Sequence, residues 1–198
     1  MADKRYVLAS TSPRRKELVS RLDVKFEYDV PTCDETLDLS VAFHESIVDL
    51  AKRKALSVLE KHPDKLILGA DTLVILEGKH LGKPQDKHEA RHMLKQLSDK
   101  THEVITGCAF VENGNIKTFY STAQVTFDAL SEQDIEDYIE TQEPFGKAGA
   151  YAIQGYGARY VNRISGDYYA IMGLPINMVH KALQCYAEGV LFTHCNLM

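Results

Sequence analysis

The sequence lacks any apolar run of membrane-spanning length, and residues 1–5, Met-Ala-Asp-Lys-Arg, do not open a signal-peptide pattern. Neither a transmembrane anchor nor a secretory leader is therefore expected. Surplus positive charge is missing too: 23 Lys and Arg against 28 Asp and Glu leave a net charge of -5. That sign argues against a nucleic-acid coat or an anionic membrane as partner, so any phosphate binding should be local. Cysteine is sparse and scattered. Cys33, Cys108, Cys185 and Cys195 contain no Cys-x-x-Cys pair, which fits reduced thiols in a cytoplasmic protein better than a zinc site or a disulfide framework. No repeat, long linker or low-complexity tract breaks the chain. Its 198 residues are therefore expected to form a single domain (1–198) with a sizeable core.

The most informative stretch, residues 8–15, reads Leu-Ala-Ser-Thr-Ser-Pro-Arg-Arg. A buried strand is expected over residues 6–9, with Ser12 as N-cap and Pro13 in the first turn of a helix running through Leu18 and Leu22. Backbone N–H groups, the helix dipole and the guanidinium forks of Arg14 and Arg15 would together favour an anion such as phosphate. A well-capped helix with solvated arginines accounts for the same residues.

Further along, a short strand is expected over 26–29 and an acidic loop at 33–35. Residues 44–61 show helical periodicity, with Ile47, Leu50, Ala51, Ala55 and Val58 on one side. A buried strand over 66–76 would carry Asp71 and Thr72 as polar residues at the carboxyl end of its apolar run, where open α/β sheets place ligands. Asp86 and Glu89 open a helix to residue 97 in a capping-box arrangement. Two long strands, 102–111 and 118–127, meet at an Asn113-Gly114 turn. A helix follows from Ser131 to about residue 141. Then come a glycine-dotted, hairpin-like segment over 147–155, a hairpin around Ser165-Gly166, and a last helix over 175–186. This order mixes parallel and antiparallel connections, so an α/β fold around a mixed sheet flanked by helices is expected.

His88-Glu89-Ala90-Arg91-His92 matches the His-Glu-x-x-His pattern of zinc proteases. Helical spacing gathers Ala90, Met93, Leu94 and Leu97 on one face and turns both histidines to the other. A catalytic zinc needs a recessed site and a third ligand, so this match is rejected.

The residues that could act together are more dispersed. A carboxylate at Asp71 can hold a divalent ion or accept a proton from water. Pro84 restricts Lys83 to an extended backbone that could aim its ammonium inward, although an exposed lysine explains it equally. Lys54 falls near the apolar face of its helix and could snorkel to solvent. Glu35 sits in the acidic loop. Gln154, among glycines, offers a donor and an acceptor matching the imide edge of uracil or thymine. A local backbone-satisfying amide is the plainer account.

Taken in order, residues 8–15, Glu35, Ala51-Lys52-Arg53-Lys54-Ala55, Gly69-Ala70-Asp71-Thr72, Gly82-Lys83-Pro84, Asp86, residues 147–155, Gly166-Asp167-Tyr168-Tyr169 and Gly173-Leu174-Pro175 resemble the Maf family of nucleoside triphosphate pyrophosphatases. The resemblance implies two lobes around a cleft, like the fold of inosine triphosphate pyrophosphatases. It also implies hydrolysis of a nucleoside triphosphate to the monophosphate and pyrophosphate. By position, Asp71 is the implied proton acceptor, and Arg14, Thr72 and Gln154 stand where substrate subgroups differ. Their identities resemble the dTTP/UTP-directed branch and leave modified pyrimidine nucleotides open. A branch directed to methylated guanine nucleotides is the nearest alternative. The sequence departs from the family at Gly146, where an acidic residue usually precedes the lysine of the Lys-Ala-Gly motif, and that departure bears on the posture of Lys147.

On this reading Ser10, Arg14, Arg15, Lys54 and Lys83 would bind the triphosphate. Mg²⁺ or Mn²⁺ would be held by Asp71 or Glu35, and Asp71 would activate the water. The competing class is a nucleotide-binding regulator of septum formation and cell division that binds without turnover. A nucleotide is the expected partner, with neither nucleic acid nor membrane, and a homodimer is left open.

Overall fold

The structure is a computed structural model and describes residues 6–112 and 114–188. Residues 1–5, Asn113 and Cys195, on which the leader, turn and fourth-thiol expectations fall, lie outside the described residues. Strand β1 (Tyr6–Ala9) is buried at every position. It pairs in parallel with β2 (Phe26–Asp29) on one side and with β3 (Leu66–Leu76) on the other. The register with β3 runs from Tyr6 opposite Leu66 to Ala9 opposite Gly69. β4 (Lys79–Leu81) folds back antiparallel on the end of β3. The long strands β5 (Thr101–Glu112) and β6 (Asn115–Phe127) follow, and β7 (Val161–Gly166) pairs antiparallel with β6. The sheet order is β2-β1-β3-β5-β6-β7, with β4 joined to β3. This is the mixed, helix-flanked α/β sheet that the sequence led us to expect.

Six α-helices accompany it among the described residues: α1 (Pro13–Val19), α2 (Phe43–Leu59), α3 (Lys87–Leu97), α4 (Glu132–Glu140), α5 (Tyr168–Met172) and α6 (Ile176–Ala187). Local chemistry explains their starts. Ser12 caps α1 by accepting from the Arg15 amide, and Pro13 opens it. Asp86 caps α3 by accepting from the Glu89 amide, while the Glu89 carboxylate reaches past the cap to the amide of Gln85. Ser131 and Asp134 form a complete capping box on α4.

The chain divides into two compact units. The first comprises Met1–Asp71, Thr106–Ser121 and Gly173–Met198, the second Thr72–Ile105 and Thr122–Met172. In the first unit α2 buries Ile47, Leu50, Ala51, Ala55 and Val58. A tight core joins Ala55 and Val58 to Val7, Ala9, Ile67 and Val111. In the second unit α3 packs on α4 and buries Ala90, Leu94 and Leu97.

Several expectations are corrected. α1 stops at Val19, because the Leu22 amide turns back to the Val19 carbonyl in a terminal turn. Residues 147–155 form no hairpin: two 3-10 turns, Ala148–Ala150 and Tyr156–Tyr160, bracket Gln154. Ser165-Gly166 is likewise not a hairpin turn but the end of β7. Gly166 there packs against the Thr122 carbonyl with no room for a Cβ. Asp71 lies inside the eleven-residue β3 rather than at its end. Finally, Cys185 is disulfide-bonded, against the expectation of reduced thiols, while Cys33 and Cys108 are free.

Candidate active site

The β1 ladder on β3 ends opposite Gly69, so Asp71 stands two residues beyond the carboxyl end of the parallel pairing. Open α/β sheets commonly place ligands beyond the carboxyl ends of their parallel strands. Residues two apart on a strand point to the same face, and the face shared by Gly69 and Asp71 is covered by α2. The helix lies so close that a Cβ on Gly69 would overlap the Ala51 carbonyl oxygen and come within 2.9 Å of the Ala55 nitrogen. Gly107 on β5 is under the same constraint, with a Cβ falling 2.8 Å from the Ile47 carbonyl oxygen. Two glycines thus set the height of α2 above the sheet.

Lys54 belongs to the buried face of α2, only 6% exposed. It does not snorkel. Its Nζ lies 2.5 Å from Asp71 Oδ2 and 3.1 Å from Glu35 Oε1. Arg15 approaches the other carboxylate oxygen: its Nη2 is 3.5 Å from Asp71 Oδ1, and its Nε donates to the Gly173 carbonyl at 2.8 Å. The Arg15 side chain is therefore turned inward, whereas Arg14 is half-buried in the same helical turn. Ser10, buried at the end of β1, accepts the Ser12 amide on its hydroxyl at 3.1 Å.

The Glu35 loop is tied down by Arg53, a residue whose partners no local sequence pattern reveals. Arg53 donates to the carbonyls of Asp34 and Thr36 and pairs with Asp49. Gly173, whose carbonyl fixes Arg15, is another such residue. The signal for both was present in the family-like segments, but nothing local says that a backbone carbonyl or a loop will be their partner.

The first unit thus gathers Arg15, Lys54, Asp71 and Glu35. Two cations face two carboxylates, and the formal charge of the cluster is zero. A neutral cluster has little net attraction for a polyanion, and a divalent cation added to it would supply the missing charge. Asp71 and Glu35 are hard oxygen donors, and one or two carboxylates beside substrate phosphates is the usual way for protein to hold Mg²⁺. Among the described residues no group of three or more His, Cys, Asp or Glu side chains comes together, so the remaining donors would be phosphate and water. The donor set fits such an ion.

Thr72, Lys83 and Gln154 belong to the second unit. Thr72 is half-buried on β3, Lys83 is exposed after β4, and Gln154 is exposed between the two 3-10 turns. Gly146 adopts a left-handed backbone (φ 73°), a conformation that suits glycine. Beyond it the Lys147 ammonium donates to the carbonyls of Glu143 at 2.6 Å and Phe145 at 3.4 Å. Backbone oxygens therefore supply partners where the usual neighbouring carboxylate is missing. Nearby, His102 is buried, accepts or donates at 2.8 Å to the Tyr151 hydroxyl, and is pushed down to a pKa of about 4 by burial. His88 and His92 are both exposed, which upholds the rejection of the zinc-protease match.

Comparison with known proteins assigns the chain to a family. A family model described as Maf-like protein matches residues 5–186. The chain belongs to the Maf family. Proteins named dTTP/UTP pyrophosphatase are its relatives. That of Halalkalibacterium halodurans is 46% identical over 96% of this chain and 100% of its own length. That of Bacillus velezensis is 46% identical over 91% and 96%, and that of Bacillus cytotoxicus 45% identical over 94% and 97%. Among solved structures, the Staphylococcus aureus Ham1 protein matches 63% of this chain and 72% of its own at 14% identity and a TM-score of 0.41.

Proposed function

We propose that this protein is a nucleoside triphosphate pyrophosphatase acting on dTTP and UTP, releasing the monophosphate and pyrophosphate from a single catalytic domain. The observation that carries the reading is Asp71, held between Lys54 and Arg15 beyond the end of β1's pairing. The names of its near full-length relatives point the same way.

In this reading a water molecule attacks the α-phosphorus, and its proton passes to the Asp71 carboxylate. The bond from the α-phosphorus to the bridging oxygen breaks, and pyrophosphate leaves with the electron pair. Lys54 and Arg15 keep the carboxylate aimed while charge shifts on the phosphoryl oxygens, the term that dominates such reactions. Arg14, Lys83 and Ser10 bind the remaining phosphates. Mg²⁺ or Mn²⁺, held by Asp71 and Glu35, would supply the charge neutralisation that the balanced cluster lacks. Gln154 pairs with the imide edge of the pyrimidine, and Arg14 and Thr72 tune the choice of substrate. A site built to hydrogen-bond one base leaves buried polar groups unpaired with another, which makes the discrimination steep.

The protein is further proposed to work in the cytoplasm, where its substrates are, without nucleic acid as partner; its net charge of -5 supports the latter. No helix among the described residues is long and apolar enough to cross a membrane. The test is direct. The protein is incubated with dTTP, UTP, GTP and a methylated GTP in Mg²⁺ or Mn²⁺, and pyrophosphate is assayed. Pyrophosphate from dTTP and UTP is expected. No pyrophosphate from any triphosphate would favour a binding regulator, orthophosphate would mean that another bond is cut, and a preference for methylated GTP would assign the other branch.

A further inference from the structure

The segment that carries Gln154 is wrapped around one carboxylate. Glu143 follows α4, and its Oε1 accepts from the Tyr138 hydroxyl at 2.8 Å and from the Gly157 amide at 3.0 Å. Its Oε2 accepts from the Tyr156 amide at 3.0 Å. The Tyr138 hydroxyl in turn accepts from the Ala152 amide at 3.1 Å. Amides on both sides of Gln154 therefore converge on one Tyr–Glu pair, leaving residue 154 exposed at the apex.

The packing permits no slack. A Cβ on Gly155 would overlap the Glu143 carboxylate, and one on Gly157 would fall 2.6 Å from the Tyr138 hydroxyl. The glycines of this segment thus find a use besides approaching a ligand: they let the backbone close on the carboxylate. Tyr138 is fully buried, and burial pushes its hydroxyl pKa well up, so it stays a donor. Burial works to raise the Glu143 pKa, but the Gly157 amide, the Tyr138 hydroxyl, the Tyr156 amide and Lys147 outweigh it and hold the group below its ordinary value. Lys147, besides its bonds to the carbonyls of Glu143 and Phe145, adds a cation close by.

We propose that Glu143 is a positioning residue for substrate choice: its carboxylate, seated on Tyr138, clamps residues 152–157 and so presents the Gln154 amide to the base. The role rests on the reading of Gln154 as the group that pairs with the pyrimidine. Glu143 itself touches no reacting atom. Charge-assisted bonds to a carboxylate are stronger than neutral ones, so removing the charge while keeping the shape loosens the turn without opening the core.

The test compares Glu143→Gln, Tyr138→Phe, Gln154→Ala and the Glu143→Gln/Gln154→Ala double variant with the parent protein. Two readouts are used: kcat and KM for dTTP and for GTP, and amide hydrogen exchange over residues 152–157. Glu143→Gln is expected to speed exchange at Tyr156 and Gly157 and to raise KM for dTTP about tenfold, one charge-assisted bond being worth roughly that factor. kcat at saturating dTTP and the poor turnover of GTP should change far less, a split that general loss of folded enzyme does not produce. Tyr138→Phe should speed exchange at Ala152 and lower the preference in the same direction. The double variant should lose no more preference than Gln154→Ala alone.

Unchanged exchange in Glu143→Gln would overturn the clamp. Faster exchange with an intact preference for dTTP, while Gln154→Ala lowers that preference, would overturn the positioning role. If Gln154→Ala itself leaves the preference intact, the pyrimidine reading of Gln154 falls and takes the presentation role with it, while the exchange data still decide the clamp.

Discussion

Lys54 reaches Asp71 at 2.5 Å because Gly69, two residues before Asp71 on the same face of β3, lets the backbone of α2 descend onto the strand. A backbone contact and a charge contact are thereby made one geometry. The ion pair is costly to form, since a lysine only 6% exposed has given up most of its hydration. What the arrangement secures is orientation: the carboxylate meets a cation from α2 on one oxygen and Arg15 from α1 on the other.

Gly69→Ala should therefore harm both stability and turnover. The new methyl must push α2 away from the sheet, an overpacking that costs about 1–3 kcal/mol. Thermal melts and dTTP turnover, measured below the variant's melting transition, check this. Turnover that stays at the parent level in the folded variant would show that the height of α2 does not control Asp71.

Asp71→Asn should lower pyrophosphate release from dTTP about 100- to 10,000-fold, the range for loss of a general base. Lys54→Met should also reduce it, and should in addition leave Asp71 and Glu35 without their shared cation. Metal dependence then separates the two variants. Lys54→Met should still respond to added Mn²⁺, whereas Asp71→Asn should respond weakly at any concentration. Near-normal turnover of Asp71→Asn would remove Asp71 from both proposed roles.

Burial of His102 predicts a pH effect on stability. Its pKa in the folded protein, about 4, lies below the ordinary 6.5, so the unfolded chain binds the proton more readily. The contribution is therefore complete above pH 6.5, declines as the pH falls, and is exhausted near pH 4. Its full size is about 3 kcal/mol at 1.36 kcal/mol per pH unit. Denaturant melts between pH 4 and 7 should show this slope, and His102→Gln should flatten it. An unchanged slope in that variant would assign the acid sensitivity to other groups.

The exposed pair His88 and His92 should be dispensable. Changing both to alanine is expected to leave dTTP turnover intact and stability within about 0.5 kcal/mol, as for most surface substitutions. Loss of activity, with restoration by Zn²⁺, would revive the metalloprotease-like motif that their exposure argues against.

Much of the fold was legible because its signals are local. Ser12 with Pro13, Asp86 with Glu89, and Ser131 with Asp134 each announce a helix start through bonds made within a few residues. The burial of Ile47, Leu50, Ala51, Ala55 and Val58 follows from helical period alone. The misreadings share a cause. Ser165-Gly166 looks like a turn, yet it pairs with β6 some forty residues earlier. Residues 147–155 look like a hairpin, yet the Ala152 amide is claimed by Tyr138 of α4, and the Tyr156 and Gly157 amides just beyond the segment by Glu143 in the loop after that helix. Turn chemistry is visible in sequence; distant partners are not.

The sequence by itself determined which side chains are available to chemistry: a carboxylate at 71, lysines at 54 and 83, arginines at 14 and 15, an amide at 154. Patterning also assigned most of them to the right kind of element. Tertiary structure alone decided how some of them are used. It turned Arg15 inward to Asp71 and the Gly173 carbonyl, although helical spacing only shows it leaving the first turn of α1. It made Lys54 a buried partner rather than a snorkelling one, and recruited Arg53 and Glu143 to hold loops. The physical reason is that an ion pair or a carboxylate clamp is defined by angstrom-scale approach between separate elements. That approach is set by packing, here by the absence of a Cβ at Gly69 and Gly155, and no periodicity records it.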